Sequence, residues 1–460
     1  MNSVETRYAT YDPILNADAL VRHGQRRVRE DALRIIAVGL RAADPGAGTQ
    51  ELVHRDGDVL YVAEHQVDLT NVDHVYVVGA GKGSLPIAAM LEEVLADRLT
   101  AGVVAVKDGE QPRLRTIDVR EAGHPLPDAR SVAAAEAILA IADRADARDL
   151  VFAAVTGGAS ALMTMPVYGV TLADLQCVTD LLLRSGAPID EINAVRRHLC
   201  QVKGGRLLAR IQPAEAITLT LNTAQGRFPW PDVCLPDPTT FADAIGVLKQ
   251  RAVWDQAPDT VRTYLEEGVD HPQWETLKEI DGMRTRIVSV TDPGRACEAA
   301  AQAAEALGYR GVVLSTIIDG EAREAALVLA GITREIALTG RPFEPPCALI
   351  SGGELTVNVE AAEGSGGPNQ EFALAFSLPY AFGHEVACIA VDTDGTDGPT
   401  DVAGGIVDDG TASRATAMDL DLGAYLREHN SYAALHQLDD HIVTGHTGTN
   451  IMNLRVIVVR

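Results

Sequence analysis

The chain repeatedly sets a short, wholly apolar run against a longer segment with helical spacing, and this alternation limits the fold more than any other feature. The runs at 75–79 (Val-Tyr-Val-Val-Gly), 101–106 and 150–155 are too short for helices and lack the polar alternation of a half-solvated strand. Helical spacing marks 17–42, 84–95 and 132–144. Strands that are apolar throughout and alternate with helices predict a parallel sheet covered on both faces. After a polar stretch, 254–286, the pattern resumes. Strands are expected at 286–290, 311–318, 347–351, 386–391 and 454–459, with helices at 296–307 and 321–338. The expected fold class is α/β, with two α/β domains at 1–281 and 282–460 and no internal repeat of fixed period.

Charge narrows the function. Across 460 residues, 39 Lys+Arg against 64 Asp+Glu leave a net charge of −25. So acidic a surface repels phosphate backbones, which excludes nucleic acid as a bulk partner. A small anionic substrate must then be gathered by a few placed cations. Only Lys82, Lys107, Lys203, Lys249 and Lys278 are lysines, so 39 − 5 = 34 cations are arginines. A salt-rich cytoplasm and a GC-rich genome explain that bias equally well. The six cysteines form no CxxC pair, which fits reduced thiols in a cytoplasmic protein and no zinc site. The first seven residues carry no apolar stretch, so no signal peptide is read. Segment 150–173 is uncharged and long enough to span a bilayer, yet its glycines, Pro166 and hydroxyls favour a strand, a turn and a helix start. No membrane partner is expected.

Four glycine loops follow strands or open helices, where backbone N–H groups and helix dipoles hold anions. The first contains Gly79, Gly81, Lys82, Gly83 and Ser84. It is no Walker A loop, because Tyr76 and Gly83 occupy the wrong positions, and no dinucleotide fingerprint, because Ser84 stands where the third Gly belongs. The second holds Gly157, Gly158 and Ser160, the third Gly352, Gly353 and Glu354, and the fourth Gly367 and Asn369. Loops at strand C-terminal ends in two domains suggest a cleft between those domains.

The densest basic cluster runs from Arg196 and Arg197 to Lys203 and Arg206, and reads either as a clamp for phosphate or carboxylate or as a solvated helix face. Acids crowd at Asp392, Asp394 and Asp397, either around Mg²⁺ or as a set of side-chain-capped turns. Thr447 and Asn450 lie in a small polar turn before the last strand, suited to phosphate or base-edge hydrogen bonds and equally to a plain loop.

Together these motifs resemble one family, the MOFRL-type glycerate 2-kinases, often mislabelled hydroxypyruvate reductases. The matching pieces are GAGKGS (79–84), HPLPD (124–128), NAVRRHL with KGGR (193–206), PDPTTFADA (236–244), GEARE (320–324), SGGE (351–354), GGPNQE (366–371), DTDGTDGPTD (392–401) and TGHTGTNIMNLRV (444–456). The resemblance implies a larger N-terminal Rossmann-like domain, a smaller C-terminal domain and an active-site cleft between them. It also implies phosphorylation of the 2-hydroxyl of D-glycerate, or a close sugar acid, by ATP with Mg²⁺. Lys82 matches the family's active-site lysine. Arg196 and Lys203 would hold the second anion, and Asp392, Asp394 or Asp397 the Mg²⁺. The glycine loops, with Ser84, Ser160, Glu354, Asn369, Thr447 and Asn450, would contact the nucleotide. The implied partners are a small hydroxy acid and a nucleotide, with a homodimer admitted.

Three departures bear on the substrate. Where the family carries a Ser-Asp-Val-Val-Gly-Asp segment, residues 220–230 lack acids and present Arg227, Phe228 and Trp230. Pro368 stands where many members have Arg, and the loop at 156–161 reads Thr-Gly-Gly-Ala-Ser-Ala. An altered-substrate or non-catalytic paralogue is therefore one alternative, and an NAD(P)H-dependent hydroxypyruvate reductase another.

Overall fold

The computed structural model describes residues 11–109, 114–223, 230–359, 363–378 and 382–460; Arg227 and Phe228 lie outside these. The chain forms two compact units. One is Gly48–Val290; the other joins Thr291–Arg460 to the described residues up to Ala47. The boundary expected after residue 281 thus falls after Val290, and the N-terminal helix belongs to the later unit.

That helix, α1 (Arg26–Ala42), buries Val28, Leu33, Ile36 and Leu40 along one stripe. A small antiparallel meander follows, with β1 (Val53–Asp56), β2 (Val59–Val62) and β3 (His65–Asp68), strands too short and too mixed in polarity to be expected from sequence. The unit's main elements are then β4 (Val75–Ala80), α2 (Ser84–Leu95), β5 (Leu99–Lys107), β6 (Ile117–Ala122), α3 (Ala129–Ala142) and β7 (Leu150–Val155). They continue through α4 (Leu172–Arg184), α5 (Ile189–His198), β8 (Glu215–Leu221), α6 (Phe241–Gln250), α7 (Asp259–Asp270) and β9 (Thr285–Thr291). Asp128, Thr171 and Thr240 start α3, α4 and α6 by accepting first-turn N–H groups with their side chains.

The strand order is β6-β5-β4-β7-β8-β9, and the ladders from β6 to β8 are parallel, as expected. Tyr76, Val78, Val151 and Ala153 pack with Ala134, Ile138 and Ile141 of α3 on one face. The chain leaves β4 in one direction across the sheet and returns at β7 to proceed in the other. Ligands of such sheets bind at this switch, outside the strands' C-terminal ends.

The later unit contains α8 (Pro293–Ala306), β10 (Arg310–Ser315), β11 (Gly320–Glu321), α9 (Ala322–Thr339), β12 (Cys347–Gly353) and β13 (Leu355–Thr356). It ends with α10 (Pro368–Phe376), β14 (Val386–Asp392), β15 (Gly404–Asp408), β16 (His441–Ile442) and β17 (Asn453–Val459). Its sheet, β10-β12-β17-β14-β15-β16, is parallel only between β10 and β12. Ala348, Ile350, Ile389 and Val456 pack with α1 and α8, while Leu349, Cys388 and Ile457 pack with α9 and α10. Burial on both faces makes these strands apolar throughout whichever way they run. Among the described residues no helix is long and apolar enough to cross a membrane, and 150–155 is a buried strand.

A buried ion network fixes α1 in the later unit. Arg29, fully buried, reaches Asp408 Oδ2 at 2.5 Å and Asp440 Oδ1 at 2.6 Å, and donates to the Leu20 carbonyl at 2.8 Å. Burial would push the Asp440 carboxyl up, but Arg29, His23 and Arg414 outweigh it and hold the group below the usual carboxylate range. Removing one partner strands a buried charge, so Arg29→Ala should cost about 3–5 kcal/mol in a urea unfolding titration. The depressed Asp440 carboxyl stabilises the fold above its unfolded value, near pH 4. That contribution should be lost as pH falls through the folded value, and Asp440→Asn should flatten this acid limb.

Candidate active site

At the switch point β4 and β7 end side by side, and their loops interlock. The Lys82 N–H donates to the Gly157 carbonyl at 2.8 Å, and the Gly83 N–H to Thr156 Oγ1 at 2.9 Å. The Ser84 hydroxyl donates to the Ala154 carbonyl at 2.9 Å, and its N–H to the Gly81 carbonyl. Gly81 has φ +137°, and a Cβ there would lie 2.2 Å from Thr156 Oγ1. These residues therefore serve close loop contact. The anion cradle expected from Gly79, Gly81, Gly83 and Ser84 is not formed, because the amides of 81–84 are spent inside the protein and Gly79 is a residue of β4. What the loop presents is the Lys82 side chain.

That side chain meets a second group. Gly158 has φ +92°, and a Cβ there would sit 3.2 Å from the His124 ring and 3.5 Å from Lys82 Cγ. Lys82 and His124 thus converge over the turn at Gly157 and Gly158. His124 lay in a motif noted above without being singled out. A partly buried imidazole beside a lysine was legible only as the pattern His-Pro-Leu-Pro-Asp.

The basic cluster divides in two. Arg197 pairs with Asp237 at 3.3 Å, and Arg206 donates to the carbonyls of Arg197, Cys200 and Trp274, so both are structural. Arg196 and Lys203 turn to the β7 loop instead. Arg196 Nη2 donates to the Ser160 carbonyl at 3.3 Å; Thr164 Oγ1 donates to the same oxygen at 2.7 Å and accepts from Lys203 Nζ at 3.1 Å. Burial lowers both cations' affinity for their protons, and for both Asp232 opposes it. Asp232, a buried carboxylate, carries no local sequence signal that marks it.

In the later unit Asp397 is not a metal ligand in waiting. Its carboxylate accepts the N–H groups of Asn369 (3.0 Å) and Gln370 (2.8 Å) and both their side-chain amides, capping α10. Asn369 is consumed in the same contact, and Gly367 is pressed so closely on Asp397 that a Cβ would lie 2.4 Å from it. Gly352 and Gly353 are ladder residues of β12 opposite Leu454 and Asn453. The fully buried Arg455 donates Nη2 to Asn453 Oδ1 at 2.7 Å; burial lowers its pKa to about 10, against the pull of Glu354.

Asp392 and Asp394 remain. Asp392 Oδ1 accepts the Asp394 N–H at 3.1 Å. Burial, Asp394 and Glu354 push the Asp392 carboxyl well above its usual range. Asn450 Nδ2 approaches Asp394 Oδ2 at 3.4 Å, and the Thr447 N–H the Asp394 carbonyl at 3.4 Å. Among the described residues no three His, Cys, Asp or Glu side chains gather as a metal-ligand set. Two crowded carboxylates still fit Mg²⁺, which takes one or two such ligands and completes its shell with water and phosphate.

A switch point with a projecting lysine and two buried cations has the parts of an α/β site for small anions. The sequence matches a domain of unknown function, DUF4147, over residues 31–266, and the MOFRL family over residues 347–453. It is 40% identical to "Glycerate 2-kinase" of Pyrococcus horikoshii, covering 94% of this chain and 97% of that one. Identity is 37% to "D-glycerate 2-kinase" of Thermotoga maritima, over 84% of this chain and 90% of that one. The crystal structure of a glycerate kinase from Thermotoga maritima superposes with a TM-score of 0.83 at 33% identity, covering 94% and 99% of the two chains. The chain belongs to the MOFRL-type glycerate 2-kinase family.

Proposed function

We propose that this protein is an ATP-dependent kinase that phosphorylates the 2-hydroxyl of D-glycerate or a closely related small sugar acid. The observation that carries the reading is end-to-end similarity to proteins named glycerate 2-kinase. The convergence of Lys82 and His124 at the switch point supports it.

Phosphoryl transfer asks a protein mainly to position groups and to offset charge on the moving phosphoryl oxygens. Lys82 would supply positive charge at that centre, and His124 would orient the anion beside it. Arg196 and Lys203, held by Ser160 and Thr164, would clamp the acid's carboxylate. Gly157, Gly158 and Ser160 would add N–H contacts. Asp392 and Asp394 would hold Mg²⁺, with Glu354, Thr447 and Asn450 around them; bound Mg²⁺ would screen the nucleotide's phosphates. Asp232 stands beside the cations as the acid nearest to a base role, although a loose transition state needs little help of that kind. A cytoplasmic location accords with six unpaired cysteines, five of them buried. A homodimer remains part of the proposal.

The test is ADP release with D-glycerate and four- to six-carbon sugar acids. Lys82→Ala should lower kcat by at least about a hundredfold, about 3 kcal/mol, with an unchanged melting temperature. Near-normal turnover in that variant would exclude Lys82 from the chemistry. Burial depresses the Lys203 ammonium, so its charge is lost below the usual lysine range as pH rises. The KM for the acid should rise along an alkaline limb that sets in below the usual lysine range, and Lys203→Arg should move that limb upward.

A further inference from the structure

Beside the 364–368 loop lies a pocket of about 300 Å³ within the later unit, lined in part by Gly367 and Gly398 on either side of the Asp397 cap. Its size falls at the lower end of small-ligand sites. Val357, Pro368 and Pro399 give it apolar walls, and Glu371 and His429 its polar groups. Pro368, which stands where many family members carry Arg, leaves the wall apolar and uncharged.

Two features single out the polar pair. Glu371 is 2% exposed; its Oε2 meets His429 Nδ1 at 3.0 Å, whereas its Oε1 is buried and has no hydrogen-bond partner. An unpaired buried carboxylate oxygen is costly, and a ligand donor would relieve it. His429 has φ +50°, the left-handed conformation, just after the helix Leu422–Arg427, where the Asn430 N–H closes the turn on the Tyr425 carbonyl. Glycine or Asn serves such a position at less strain. In that conformation the His429 ring meets Glu371.

We infer that this pocket receives the adenine base of the nucleotide, with Glu371 Oε1 accepting the exocyclic amine and Val357, Pro368 and Pro399 against the ring faces. This rests on the kinase reading. One free acceptor matches adenine, whose 6-amino group is a donor. Guanine offers O6, an acceptor, at that position, and its ring N–H and 2-amino donors together call for two carboxylate oxygens. Here Oε2 is already engaged by His429.

The test is calorimetric binding of ATP and of purine riboside triphosphate, which lacks the 6-amino group, to the wild-type protein and to Glu371→Met. The wild type should bind ATP at least tenfold more tightly than the analogue, and the variant should bind both within about twofold. An equal ratio in the two proteins would overturn the assignment while leaving nucleotide binding intact. Absence of ATP binding by the wild type would overturn the kinase reading and this inference with it. Should Glu371→Met fail to fold, Val357→Trp, which fills the pocket from its wall, must weaken both nucleotides alike; undiminished binding would overturn the assignment.

Discussion

The close contact between the ends of β4 and β7 governs the rest of the candidate site. Lys82 and Gly83 donate their amides into the 156–157 turn, and Ser84 ties back to the Ala154 carbonyl. That contact leaves no backbone cradle at the first loop. It projects the Lys82 side chain and sets the turn over which His124 lies. Positive charge at this switch point is therefore carried by side chains, with Arg196 and Lys203 reaching the same turn through Ser160 and Thr164.

Much of the fold is legible in the sequence because burial on both faces leaves a plain mark. The strands at 75–79, 101–106 and 150–155 and the helices between them appear where the apolar runs place them. Strand direction in the later unit is not legible, since Leu349 and Ile457 would be apolar in either orientation. Nor does any local signal say that α1 packs with strands more than three hundred residues away; Arg29 finds Asp408 and Asp440 only in the folded chain.

The site follows the same division. Lys82, Arg196 and Lys203 are chemically conspicuous in a chain with five lysines and a charge of −25. Glycine loops are ambiguous, because a glycine that lets a ligand approach and one that lets a neighbouring strand approach read identically. Gly79, Gly81, Gly353 and Gly367 prove to be of the second kind, their missing Cβ positions filled by protein atoms. Asp397 reads as a ligand because carboxylates cluster around it, yet four N–H donors engage it as a helix cap. His124 and Asp232 escaped notice because only tertiary contact brings them to the cations.

The central claim is that this chain directs phosphate to one hydroxyl of a small acid. The most direct measurement is the regiochemistry of the product formed from ATP and D-glycerate, read by ³¹P and ¹³C NMR. The account predicts a single phosphoester on the 2-oxygen, formed with stoichiometric ADP. Phosphate on the 3-oxygen, or glycerate recovered unchanged from purified, folded, ATP-binding protein, would contradict it.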